Sequence, residues 1–251
     1  MTEPTYTPGM FVWRELNVPD LDKAKGFYGE LFNWAFEDVP MGDFDYPMIK
    51  AGDQAIGGMM KMEGAEHPPH WMSYVSVEDV DASAKAAAAR GGKVAVGPMD
   101  IPNVGRFAVV GDPDGAWVTV FRAAQGDPAP GQMPGLGTFC WETLSANDLA
   151  RAEAFYAEVV GWSVGPGPGG PDNHVFKVGE VAVADVQKAQ NMPPSWATYV
   201  VVANLADAHA KLTKLGGKTF LERYDVPGVG GIGFFADPQG AMLGLFEPSA
   251  G

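Results

Sequence analysis

Residues 13–34 read WRELNVPDLDKAKGFYGELFNW, and residues 141–162 read WETLSANDLARAEAFYAEVVGW. Both stretches run from Trp through a short strand to an Asp. An amphipathic helix carrying Phe-Tyr follows, and a second Trp closes the stretch. Trp141 lies 128 positions after Trp13. A second set, Trp71, Tyr74, Val75, Val77 and Gly91-Gly92-Lys93, returns 125 positions later as Trp196, Tyr199, Val200, Val202 and Gly216-Gly217-Lys218. At the same spacing, Gly111-Asp112-Pro113-Asp114-Gly115-Ala116 returns as Ala236-Asp237-Pro238-Gln239-Gly240-Ala241. Two copies of about 110 residues make a tandem duplication, whereas a solenoid would repeat every ~20–50 residues.

Each copy reads the same way. A strand covers Phe11–Val18 or Phe139–Ala146. Asp20 or Asp148 then caps a helix, its carboxylate accepting otherwise orphaned N–H groups. Leu21, Ala24, Phe27, Tyr28 and Leu31 fall on one helical face, as do Leu149, Ala152, Phe155, Tyr156 and Val159, so each helix presents a core-seeking stripe. Short strands with Gly-rich turns follow over Asp45–Met62 and His174–Val186. A second strand and helix begin at Trp71 or Trp196. This helix is capped by Asp79 or Asn204 and stopped by Gly91 or Gly216. A hairpin turning at Asp-Pro-Asp-Gly or Asp-Pro-Gln-Gly closes each copy. The Pro- and Gly-rich stretch Ala123–Gly137 reads as a linker, and Gly165–Pro171 as a connector loop.

Composition narrows the function. The chain has 251 residues, 46% hydrophobic and 19% charged, as for a globular protein. No apolar run reaches the ~18–20 residues of a membrane helix. The start, MTEPTYTPGM, shows no signal peptide. The single Cys140 cannot form an internal disulfide, so a cytoplasmic protein is expected. The net charge is −14 and the basic residues form no stripe, which argues against nucleic acid as a partner. The acidic surface confers solubility and suits a cationic small molecule.

The ordered motifs Asp-Leu-x-x-Ala-x-x-Phe-Tyr, Gly-Gly-Lys and Gly-Arg-Phe-Ala-Val-Val-x-Asp-Pro-Asp-Gly resemble the vicinal oxygen chelate superfamily. That group includes glyoxalase I, bleomycin- and fosfomycin-resistance proteins and extradiol dioxygenases. The tandem form resembles actinobacterial glyoxalase-like proteins. The resemblance implies an α+β fold of two tandem glyoxalase-like domains, 8–122 and 138–248, joined by 123–137. Each would pair two βαβββ modules in a curled mixed sheet around a concave pocket. It also implies a monomer in which the halves pack as an internal pseudo-dimer.

The chain departs from that family at the metal. The positions that carry His or Glu ligands in metal-using members map onto Trp13, Met72 and Thr119 in the first half. They map onto Trp141, Ala197 and Gly244 in the second. The remaining ligand strand, near Gly58–Met60 and Ala182–Ala184, carries no His or carboxylate. These side chains suit no divalent transition metal, so no metal and no cofactor is expected. His67 and His70 lie in a turn-like Glu-His-Pro-Pro-His loop. His174 and His209 read as surface or edge histidines.

Strand alternation then selects the concave face. If Trp13 holds the ligand position, Glu15 and Asn17 share its side. Met72 and Tyr74 join them, with Trp117, Thr119 and Phe121 from the closing strand. The second half offers Trp141, Thr143, Tyr199, Met242 and Phe246. Such an aromatic surface with a few hydroxyls suits a small organic ligand, aromatic or cationic; the opposing reading is that the same residues fill a core. Glu15 stands out, because an unpaired buried carboxylate is costly. It either meets a partner such as Arg106 or faces a ligand, and Thr143 cannot replace it. Two readings follow: a metal-independent binding protein, or a lyase, isomerase or hydrolase using Glu15 as acid or base. A metal-dependent glyoxalase or dioxygenase is disfavoured.

Overall fold

The computed structural model describes residues 4–64, 67–128, 134–190 and 192–249. The first repeat runs β1 (Phe11–Val18), α1 (Leu21–Phe32), β2 (Ala35–Pro40), β3 (Asp45–Ala51), β4 (Gln54–Lys61), β5 (His70–Ser76), α2 (Val80–Ala89), β6 (Lys93–Ile101), β7 (Gly105–Gly111) and β8 (Trp117–Ala123). The second runs β9 (Phe139–Ala146), α3 (Leu149–Val159), β10 (Ser163–Pro166), β11 (Asn173–Val178), β12 (Val181–Lys188), β13 (Ser195–Val201), α4 (Leu205–Lys214), β14 (Lys218–Val226), β15 (Gly230–Ala236) and β16 (Met242–Pro248). The expected first strands match residue for residue. Four strands are absent from the sequence reading: β2, β6, β10 and β14.

Each repeat builds one mixed eight-stranded sheet, ordered β2-β3-β4-β1-β5-β8-β7-β6 or β10-β11-β12-β9-β13-β16-β15-β14. The four helices begin where the caps demand. Asp20, Asp79, Asp148 and Asn204 are extended, and each side chain accepts the N–H three residues on. Gly91 and Gly216 follow the helix ends with φ of 78° and 87°, a conformation open to glycine at no steric cost.

The chain packs as two compact units, and each draws on both repeats. One comprises Met1–Val12, Ser73–Gln132 and Glu142–Trp196; the other comprises Trp13–Met72, Met133–Trp141 and Ala197–Gly251. In the first unit α2 packs on α3, and Val75, Val118 and Val120 share a core with Leu144, Phe155 and Tyr156. In the second α1 packs on α4, and Leu16, Phe27 and Tyr28 share a core with Val200, Phe235 and Leu243.

The same device ties each unit. Trp71 Nε1 donates to Tyr28 Oη at 3.1 Å, and Tyr28 donates to Asp237 at 3.1 Å. In the other unit, Trp196 Nε1 donates to Tyr156 Oη at 2.8 Å, and Tyr156 donates to Asp112 at 3.3 Å. Burial pushes both tyrosines well above their ordinary pKa and raises both aspartates. The Phe-Tyr of the helix motif and the Asp of the Asp-Pro turn therefore meet across the duplication.

The stretch read as a linker is held at its first end. The Asp127 N–H donates to the Thr5 carbonyl, and its carboxylate accepts from Ser76 Oγ at 2.6 Å and from the Thr7 N–H at 2.7 Å. Residues 129–133 of that stretch lie outside the described residues.

Candidate functional site

Strand alternation divides each sheet as its sequence requires. Along β1, Leu16 and Val18 enter the core, while Trp13, Glu15 and Asn17 point to the other side and remain partly exposed. Along β8, Val118 and Val120 are core, and Trp117, Thr119 and Phe121 lie opposite. Along β16, Leu243 and Leu245 are core, and Met242, Gly244 and Phe246 lie opposite. Tyr74 and Tyr199 are buried beside Thr119 and Gly244, their cross-strand neighbours.

Glu15 belongs to a hydrogen-bonded chain in the first repeat. Trp13 Nε1 donates to Tyr46 Oη at 3.0 Å, and Tyr46 donates to Glu15 Oε2 at 3.0 Å. Tyr46 comes from β3 and lies over Gly58 of β4; a Cβ at Gly58 would stand 2.1 Å from its hydroxyl. Gly58 is also the residue paired with Glu15 across the β1–β4 ladder. The glycine thus makes room for the ring that aims a phenol at the carboxylate. Arg106, the partner considered for Glu15, is engaged elsewhere. Its guanidinium donates to Asp81 at 2.6 and 2.9 Å and to Asp100 at 3.0 Å. Sequence alone does not pair Glu15 with Tyr46, because the register of β3 on β4 decides that contact.

The second half of the first repeat offers an apolar surface. Tyr74 and Phe121 meet edge to face with centroids 5.9 Å apart. Phe107 and Val109 of β7 stand beside Phe121 and Thr119, and Met99 of β6 stands beside Phe107. Thr119 is fully buried, yet its hydroxyl has no hydrogen-bond partner among the described residues. Orphaned buried hydroxyls are costly.

The second repeat holds a carboxylate that the sequence reading missed. The expected stretch Ala182–Ala184 stops one residue short of Asp185, the residue paired with Thr143 on the β9–β12 ladder. Thr143 Oγ1 donates to Asp185 Oδ1 at 2.5 Å, and Asn173 Nδ2 donates to Asp185 Oδ2 at 2.8 Å.

The histidines do not gather. His67 is exposed, and His70 Nδ1 lies 2.9 Å from the Pro68 carbonyl oxygen. His174 pairs with Glu153, which raises its pKa. His209, expected at the surface or an edge, is buried: its ring sits over Gly233, where a Cβ would come within 2.6 Å, and Nδ1 lies 2.9 Å from Thr219 Oγ1. Burial lowers its pKa. No cluster of three or more His, Cys, Asp or Glu side chains able to hold a metal occurs among the described residues. The donor set at the mapped ligand positions does not fit a divalent metal. No helix among the described residues is long and apolar enough to cross a membrane.

Comparison with known proteins agrees with this fold. The model of the glyoxalase/bleomycin resistance protein/dioxygenase superfamily matches residues 10–120, and that of a glyoxalase-like domain matches residues 141–246. The chain is 32% identical over 253 residues to CFP32 of Mycobacterium tuberculosis, a protein whose name assigns it provisionally to the glyoxylases; the match covers 97% of each chain. It is 27% identical to the anthracycline biosynthesis protein DnrV of Streptomyces peucetius, over 96% of this chain and 94% of that one. Among solved structures, the 2,3-dioxygenase LapB from Pseudomonas sp. KL28 superposes with a TM-score of 0.64 at 12% identity, covering 100% of this chain and 94% of that one. The Mn(II)-bound glyoxalase from Novosphingobium aromaticivorans superposes with a TM-score of 0.61 at 17% identity, covering 96% and 82%.

Proposed function

Because the chain belongs to the glyoxalase/bleomycin resistance protein/dioxygenase superfamily, we propose that it is a glyoxalase-like protein that binds a small organic molecule without a divalent metal. It acts as a monomer. The observation that carries this reading is the hydrogen-bonded chain Trp13–Tyr46–Glu15 on the face of β1 opposite the core. An indole, a phenol and a carboxylate in series present an aromatic face with an anionic end, and each hydrogen bond polarises the next. The relation to an anthracycline biosynthesis protein accords with an aromatic ligand.

A planar aromatic ligand is expected to quench tryptophan fluorescence. Trp13→Ala should weaken its binding by about 1–3 kcal/mol, the loss of a stacking contact and its burial. Glu15→Gln should weaken cationic ligands and spare neutral ones. The purified protein is expected to hold no stoichiometric Zn, Ni, Mn or Fe. One metal per chain that resists dialysis would refute the metal-independent reading.

The second reading makes Glu15 a general acid or base, with Tyr46 fixing its orientation. It is favoured by the hydrogen bond that aims the phenol at the carboxylate. On this reading Glu15→Gln lowers turnover by roughly 10²–10⁴ while binding survives.

Thr119 separates a ligand surface from a packed core. Removing a buried hydroxyl that has no partner costs the fold nothing or stabilises it by up to about 1 kcal/mol. Thr119→Val should therefore keep or raise the melting temperature and yet weaken a ligand that hydrogen-bonds this hydroxyl several-fold. A stability loss with unchanged affinity would assign Thr119 to packing alone.

A further inference from the structure

The ladders equate three positions in the two repeats. Glu15 pairs with Gly58, and Gly58 pairs with Met48, two residues after Tyr46. Thr143 pairs with Asp185, and Asp185 pairs with Val175, two residues after Asn173. Glu15, Gly58 and Tyr46 of the first repeat therefore correspond to Thr143, Asp185 and Asn173 of the second.

The three exchanges depend on one another. With Tyr46 in place, any side chain on Gly58 collides with its phenol. The smaller Asn173 leaves room for the carboxylate of Asp185 and donates to it. Moving the acid from the first strand to its neighbour leaves a hydroxyl, Thr143, to hold the other oxygen. The Gly169 N–H donates to Asn173 Oδ1 at 3.0 Å and fixes that amide in turn. Each repeat thus keeps one carboxylate at the same point of the same sheet face, carried by different strands. Thr143 is 5% exposed and Asn173 9%, while Asp185 between them is only half-buried, so its carboxylate is held by two buried partners and still reaches the surface.

We propose that the second repeat holds a second ligand site whose anchoring group is Asp185. It takes the ligand class proposed for the first repeat, narrowed to small organic molecules that present a cationic or N–H nitrogen. This rests on the reading of the first-repeat face as a binding surface. The carboxylate accepts from the ligand nitrogen, and Thr143 and Asn173 hold its plane. The overall charge of −14 favours approach of a cation to either repeat.

Equilibrium dialysis with proflavine, a planar aromatic cation with N–H donors, tests the proposal against xanthone, a neutral planar aromatic without an N–H. The wild-type chain should take up two equivalents of proflavine. Asp185→Asn should abolish or weaken one of them at least tenfold. Glu15→Gln should remove the other, and the double variant both. Asp185→Glu keeps the charge and should retain two, which guards against a variant that merely misfolds. Thermal melts of all variants report folding. Two equivalents undisturbed by Asp185→Asn, or a single equivalent lost only with Glu15→Gln, overturn the second site and leave the first-repeat reading standing. One equivalent lost only with Asp185→Asn supports the second site and overturns the first. Uptake of xanthone without proflavine overturns the nitrogen-bearing class, and uptake of neither probe overturns the second site.

Discussion

Asp112→Ala is expected to destabilise the protein by about 3–5 kcal/mol, lowering the melting temperature by roughly 10 °C or more. One oxygen of this carboxylate accepts the N–H groups of Asp114, Gly115 and Ala116 at 2.8–2.9 Å, and the other accepts the Tyr156 hydroxyl. Tyr156 is fully buried and also receives the Trp196 indole N–H. Alanine would leave the buried Ala116 N–H and Tyr156 hydroxyl without this acceptor, each costing about 1–3 kcal/mol, partly offset because a desolvated charge disappears. Tyr156→Phe deletes one donor and should cost about 1–2 kcal/mol. The pH dependence has a definite sign. Burial raises the folded pKa of Asp112 above the ordinary 3.8, so the folded chain holds this proton more tightly than the unfolded chain. Its contribution to stability is present below 3.8 and is lost as pH rises through the folded value. Asp112→Asn lacks that contribution, so its deficit relative to wild type should widen on acidification. Urea unfolding from neutral pH down to about pH 4 measures this, and a deficit that narrows instead would contradict the burial account.

The duplication, the caps and the inward face of each strand are legible in the sequence because each is set by residues close together along the chain. Asp20, Asp79, Asp148 and Asn204 cap the helices as their spacing requires. The packing partners are not legible. Periodicity says that Phe155 and Tyr156 are buried, and nothing in it says that they meet Val75 and Asp112 of the other repeat. Register is the second blind spot. Glu15 and Thr143 lie 128 positions apart but Gly58 and Asp185 127, so the repeats differ in length before β4 and β12, and the stretch read as Ala182–Ala184 misses Asp185. A slip of one residue exchanges the two faces of a strand. It also hides the correspondence between Tyr46 and Asn173, and with it half of the candidate polar chemistry. His209 fails for a related reason. The glycine that admits its imidazole, Gly233, lies on a different element.

Trp162→Ala should cost about 3–5 kcal/mol, the range for deleting a large aromatic from a core. Trp162 is 2% exposed, and Phe176, Phe11, Tyr156 and Trp196 surround it with ring centroids 4.9–5.9 Å away. Its indole N–H donates to the Gly9 carbonyl at 2.8 Å. Trp34 holds the equivalent place in the other unit, donating to the Gly137 carbonyl at 2.6 Å. Gly9 and Gly137 have φ of 88° and 75°, so each repeat turns its chain through a left-handed glycine to deliver a carbonyl to the tryptophan. Trp162→Phe retains much of the ring packing and loses the donor, so it should cost about 1–2 kcal/mol. Gly9→Ala should destabilise as well, and it crowds the Trp162 indole nitrogen, 3.1 Å from the added Cβ. A Cβ there would stand 2.5 Å from Val178 Cγ2, in a conformation that L side chains rarely adopt. If Trp162→Ala cost less than Trp162→Phe, the aromatic cluster would not be the main source of this tryptophan's contribution. The Gly9 carbonyl would then depend on another donor, and the doubled Trp that opens and closes each motif would need a role other than packing.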